Sequence, residues 1–97
     1  MSVLVLVDVK IKPQSFDDLK NWMRNNLHDT RSFDGCNGIT IQRNQDDPNN
    51  VIFVEDWESR SHYEKYLAFR SERGDIEDLM AWADGEPKFV YLDNIGV

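Results

Sequence analysis

The 97-residue sequence predicts an α+β domain, an antiparallel sheet with helices on one face. Three features point there. The chain opens on a strict two-residue alternation, two helical stripes follow separate start signals, and a polar turn containing proline joins two strand-like runs between them.

Val3, Val5, Val7, Val9 and Ile11 alternate with Leu4, Leu6, Asp8, Lys10 and Lys12, so one face of the first strand is wholly apolar and the other only at its start. Pro13 ends that ladder. Ser15 with Asp18 three places on resembles a capping box, and Phe16, Leu19, Met23 and Leu27 then fall on one helical stripe that stops near the two glycines of FDGCNG. Residues Ile39–Arg43 and Val51–Trp57 read as strands joined by NQDDPNN, a loop suited to a hairpin. The second helix starts at Ser59 or Ser61, the latter with Glu64 as capping-box partner, and carries Tyr63, Tyr66, Leu67 and Arg70. Gly74 interrupts it. Ile76, Leu79, Met80 and Ala83 give a further short stripe ending at Gly85, and Phe89–Ile95 supplies the last strand after Pro87.

The resulting order, β-α-β-β-α-(α)-β, matches the ferredoxin-like split βαβ and fills residues 1–97 as a single domain without linker or repeat. Such a sheet needs one apolar face for its helices. Here Val51, Phe53 and Trp57 oppose Ile52 and Val54, and Phe89, Tyr91 and Ile95 oppose Val90 and Leu92, so both faces are partly apolar. An exposed apolar sheet face exceeds what soluble monomers tolerate, and a second copy packed sheet on sheet is expected to cover it, giving a homodimer.

Composition bounds the partners. A chain of this length removes roughly 65% of its unfolded surface from water, enough for one core without staples. The net charge of −7 disfavours nucleic acid and anionic lipid, because counterion release would have the wrong sign. Through residue 50 there are 6 basic and 7 acidic side chains, and beyond it 5 and 11, so the acidic excess sits on the second half as solvated helix faces. The single cysteine, Cys36, has no internal partner, and the N-terminus lacks a basic-then-apolar leader pattern, which points to a reducing cytoplasm. No apolar run is long enough to span a bilayer.

Signatures of nucleotide, metal or nucleophilic chemistry are missing from the sequence: no glycine-rich phosphate loop, no nucleophile elbow, no paired cysteines, and His28 and His62 on different helices. No cofactor is expected. Asp46 and Asp47 are turn formers, and Cys36 between two glycines is a small packing residue. The richer set is aromatic. Tyr63 and Tyr66 are neighbours on one helix surface, Trp57 stands at that helix's mouth, and Trp82 lies further on; core packing explains all four, and so does the wall of a pocket.

Four short motifs, RSFDGCNG at 31–38, RNQDDPNN at 43–50, VEDWES at 54–59 and YLAFR at 66–70, together resemble the antibiotic biosynthesis monooxygenase domain, a family of the dimeric α/β-barrel superfamily. The resemblance implies a dimeric barrel of ferredoxin-like subunits. It also implies a pocket between helices and sheet whose wall includes the tryptophan of the E-x-W motif, Trp57 here. Members of the family oxidise polyaromatic quinols without metal or flavin, others degrade haem, and others have no known reaction. Two departures stand out: where many members carry a helix histidine nine residues after the motif tryptophan this chain has Tyr66, and where quinol oxidisers place an asparagine it has Phe53. The first disfavours haem degradation, and the second leaves the polar set for quinol oxidation incomplete.

Two functions are therefore expected in competition. One is a cofactor-independent monooxygenase on a small aromatic or quinol, with Trp57, Tyr63, Phe53 and Trp82 binding substrate and Tyr66 or Arg70 stabilising oxyanion charge. The other is a dimeric small-molecule-binding or stress-related domain without turnover. For Arg70 the plainer expectation is an ordinary surface ion pair.

Overall fold

The computed structural model describes residues 2–97. In chain order it contains β1 (Val3–Lys10), a 3-10 turn (Pro13–Ser15), α1 (Phe16–Arg31), β2 (Cys36–Arg43), β3 (Asn50–Trp57), α2 (Arg60–Glu72), α3 (Asp75–Trp82) and β4 (Lys88–Leu92). The strands form one antiparallel sheet in the order β2-β3-β1-β4. This is the ferredoxin-like α+β fold the alternation predicts.

Register fixes which side chains meet the helices. Val3, Val5, Val7 and Val9 of β1 stand opposite Trp57, Glu55, Phe53 and Val51 of β3, and all eight are buried. The helices supply Leu19, Leu27, Tyr63 and Tyr66 to the same core. On the other face Leu4 pairs with Leu92, and Leu6 stands between Val90 and Val54, a contiguous apolar surface. Leu4 and Leu92 are 38% and 39% exposed, so no element among the described residues covers them.

The Ser15 cap and two strand ends differ from the sequence reading, β2 beginning at Cys36 rather than Ile39, and of the two helix starts expected for α2 Ser59 is the one used. Ser15 has φ −102° and ψ −1°, already helical, so its hydroxyl cannot turn onto the first helical amides and the Ser15–Asp18 capping box does not form. The second helix is capped at Ser59, whose extended backbone lets its Oγ accept from the His62 amide, and the Ser61–Glu64 box is not used. The last strand ends at Leu92 rather than Ile95, which is 85% exposed.

The turn between α1 and β2 holds the start of α2 in place. Gly35 has φ +89°, and a Cβ there would meet the His62 ring at 2.5 Å, so only glycine satisfies both the backbone and the packing. Its carbonyl accepts from the Glu58 amide at 2.7 Å, joining that turn to the β3–α2 junction.

Candidate functional site

A cavity of about 60 Å³ lies between the helices and the sheet. Its wall is apolar over most of its extent: Trp22, Met23 and Leu27 from α1, Leu67 from α2, Ile76 and Leu79 from α3, and Val7, Ile39, Phe53 and Phe89 from the strands. The polar groups on it are Glu55, Tyr63, Tyr66, Arg70 and Asp75. A groove of about 360 Å³ between α1 and β2 is roomier, but no buried titratable group lines it.

Arg70 does not form the surface ion pair expected of it. Its side chain is 2% exposed and bonds Asp75 Oδ2 at 3.0 Å, with the carboxylate itself 8% exposed. Nε donates to the Tyr66 hydroxyl at 2.9 Å, and Nη2 donates to the Asn26 carbonyl at 3.0 Å and to Thr30 Oγ1 at 2.8 Å. The guanidinium thus joins α1, α2 and the start of α3. Sequence spacing could not show this, because the partners lie up to 44 residues away.

This network orients Tyr66. The Tyr66 and Thr30 hydroxyls are 2.7 Å apart, and either can donate. When Thr30 donates, Tyr66 accepts two hydrogen bonds and keeps its own proton for whatever enters the cavity. Burial raises the Tyr66 pKa, against the opposing pull of its hydrogen bonds with Thr30 and Arg70. Tyr63 is raised as well, chiefly by burial and then by the nearby Glu55 carboxyl. Both phenols are neutral donors at physiological pH.

Glu55 behaves differently. It sits on a central strand with Val5 and Ile39 across from it, in the inward register that elsewhere carries Val51, Phe53 and Trp57. The residue is 2% exposed. Loss of water raises its pKa from 4.5 to about 7, although the Trp57 indole and the Arg70 charge both pull it down. Oε1 accepts from Trp57 Nε1 at 3.1 Å.

The structure distributes the sequence-predicted site residues unevenly. Tyr63, Tyr66, Arg70 and Phe53 line the cavity together. Trp57 is fully buried behind the tyrosines, its ring 5.0 Å from that of Tyr66 and 5.6 Å from that of Tyr63, and it backs the cavity wall without lining it. Trp82 lies off the cavity, at the end of α3, where its carbonyl accepts from the Lys12 amide. Sequence reading passed over Glu55. The available signal was an acid at an inward position of an otherwise apolar alternation.

The family model for antibiotic biosynthesis monooxygenases matches residues 2–70, which take in β1, α1, β2, β3 and α2 as far as Arg70. The chain belongs to that family. Solved structures share the fold of this family member at low identity. One described as an antibiotic biosynthesis monooxygenase aligns with a TM-score of 0.85 at 22% identity, covering 96% of this chain and 98% of the other. A conserved protein from Methanosarcina mazei Go1 aligns with a TM-score of 0.87 at 14% identity, over 95% and 91% of the two chains. The Mycobacterium tuberculosis protein Rv0793 aligns at 0.75 and 17% identity, over 100% and 98%. No curated protein matches. Among the described residues no group of three or more His, Cys, Asp or Glu side chains is placed to hold a metal ion, and no helix is long and apolar enough to cross a membrane.

Proposed function

We propose that this family member is a cofactor-independent monooxygenase acting on a small phenol or quinol held in the cavity between helices and sheet. It works as a homodimer of single-domain subunits in the cytoplasm, joined through the apolar sheet face of Leu4, Leu6, Val54 and Leu92. The observation that carries the reading is the pairing of neutral phenol donors with a buried guanidinium, bonded through all three of its nitrogens, at one end of a mostly apolar cavity. Such an end is complementary to a phenolate oxygen surrounded by ring carbon.

The chemistry closes without an external reductant. A phenol or quinol that takes one oxygen atom from O₂ and becomes a quinone or hydroxyquinone supplies all four electrons itself, and the second oxygen leaves as water. The protein has then to bind the ring, remove its hydroxyl proton and exclude solvent, because the electron-rich phenolate is itself the donor to oxygen. Tyr66, oriented by Arg70 and Thr30, holds the oxyanion. Tyr63 and Phe53 form the ring-facing wall, and Trp57 fixes Tyr63, Tyr66 and Glu55 from behind. Trp82 serves this reading only through the placement of α3.

Oxygen uptake with a panel of phenols and hydroquinones tests the proposal. Wild-type protein should consume oxygen above the autoxidation blank, and Tyr66→Phe should lower the rate at least tenfold. Uptake at the blank rate across the panel would leave the family's non-catalytic binding role as the better reading.

A further inference from the structure

We propose that Glu55 is the catalytic base of this cavity, taking the hydroxyl proton of its ligand, and that the ligand is a phenol of a single ring. The inference rests on the phenolic site argued above, but not on turnover. Glu55 is the carboxyl at the centre of the sheet that faces the cavity, and Trp57 Nε1 occupies one of its oxygens. Every fully enclosed side-chain nitrogen or oxygen among the described residues has a partner, so the second oxygen, to which no hydrogen bond runs, is not fully enclosed, and it belongs to a residue that lines the cavity. That leaves it as the acceptor a ligand hydroxyl meets.

The transfer balances simply. The ligand O–H bond breaks, a new O–H bond forms on Glu55 Oε2, and the electron pair stays on the phenolate beside Tyr66. The negative charge moves from an oxygen among Val5 and Ile39 to one near Arg70. The charged or titratable groups facing Glu55 are Tyr63, Tyr66 and Arg70 on α2, Cys36 on β2 and Asp75 at the start of α3. Burial puts the Glu55 pKa at about 7, where a base is half available at neutral pH. From an ordinary phenol titrating around 10, the transfer is uphill by roughly a factor of a thousand, which favours more acidic ring hydroxyls.

Size sets the ring count. A cavity of about 150 Å³ is known to admit one benzene, and this one encloses about 60 Å³. One ring therefore enters only as flexible wall residues, Met23 foremost, give way, and a fused second ring demands a larger displacement of the same wall.

The test uses phenol, which stays neutral from pH 5 to pH 8.5, with binding followed by calorimetry. Glu55 ionises as pH rises through about 7, and only the carboxylate can accept the hydroxyl proton, so wild-type affinity should rise at least fivefold between pH 5 and pH 8.5. Glu55→Gln, which keeps an acceptor for Trp57, should bind phenol with an affinity that does not change over that range, and 1-naphthol should bind wild type at least tenfold more weakly than phenol. Urea denaturation confirms that the variant is folded, and Glu55→Asp should recover part of the pH dependence. A wild-type affinity independent of pH, the same rise in Glu55→Gln, or no phenol binding by wild type would overturn the proposal. A pH-dependent affinity without oxygen uptake would instead remove the oxygenase reading and leave the base in place.

Discussion

Replacing Glu55 with glutamine should stabilise the protein, and by an amount that depends on pH in a defined direction. A carboxyl whose folded pKa lies above its unfolded one binds its proton more tightly when folded. Its favourable contribution is complete below the ordinary value of 4.5 and is lost as pH rises through the folded value of about 7. Across that interval, at about 1.4 kcal/mol per pH unit, the loss amounts to about 3 kcal/mol. Glutamine has the same shape, accepts from Trp57 Nε1 as glutamate does, and carries no charge to desolvate. Measured by urea unfolding at fixed protein concentration, Glu55→Gln should therefore gain about 3 kcal/mol on wild type between pH 4.5 and pH 8.5. With slopes of about 1–3 kcal/mol per molar urea, the midpoint difference should change by about 1–3 M. The two proteins differ in no other ionisable group. A midpoint difference that is the same at both pH values would mean that Glu55 is hydrated in the folded state and that the account of the cavity is wrong.

Trp57→Phe should cost about 2–4 kcal/mol, because the indole is fully buried against Tyr63, Tyr66 and Phe33. It should also move the Glu55 titration, followed by carbon-13 NMR of the carboxyl, further up, since the lost hydrogen bond holds that pKa down. Arg70→Met should destabilise by about 3 kcal/mol in urea, leaving Asp75 a buried charge whose remaining cation, Arg73 Nε, is 3.5 Å away and 43% exposed. Leu6→Lys, on the uncovered sheet face, should convert a particle of about twice 11.4 kDa by light scattering into a monomer, whereas a wild-type monomer would contradict the dimer.

Fold and site were legible to different depths. The β1 alternation and the stripe of Phe16, Leu19, Met23 and Leu27 sufficed for sheet and helices, because local periodicity decides which face is buried. The uncovered apolar face was equally readable from Leu4, Leu6, Val54 and Leu92. The Ser15 capping box was misjudged because capping depends on a backbone angle at one residue: Ser15 and Ser59, the latter one of the two starts expected for α2, are the same residue type, and only Ser59 is extended. Arg70 was misjudged because its partners Asn26 and Thr30 come from another helix, beyond the reach of spacing along the chain. Glu55 could have been found by asking of each inward strand position whether its residue belonged there.

The most direct test of the account is oxidation of methylhydroquinone under oxygen-18 gas, with the product reduced and acetylated at once so that exchange with water does not erase the label. The account predicts a hydroxylated product carrying one labelled oxygen, one O₂ consumed per product, no hydrogen peroxide above the blank, and at least tenfold less product with Glu55→Gln. Unlabelled quinone accompanied by peroxide, formed equally by wild type and Glu55→Gln, would contradict it.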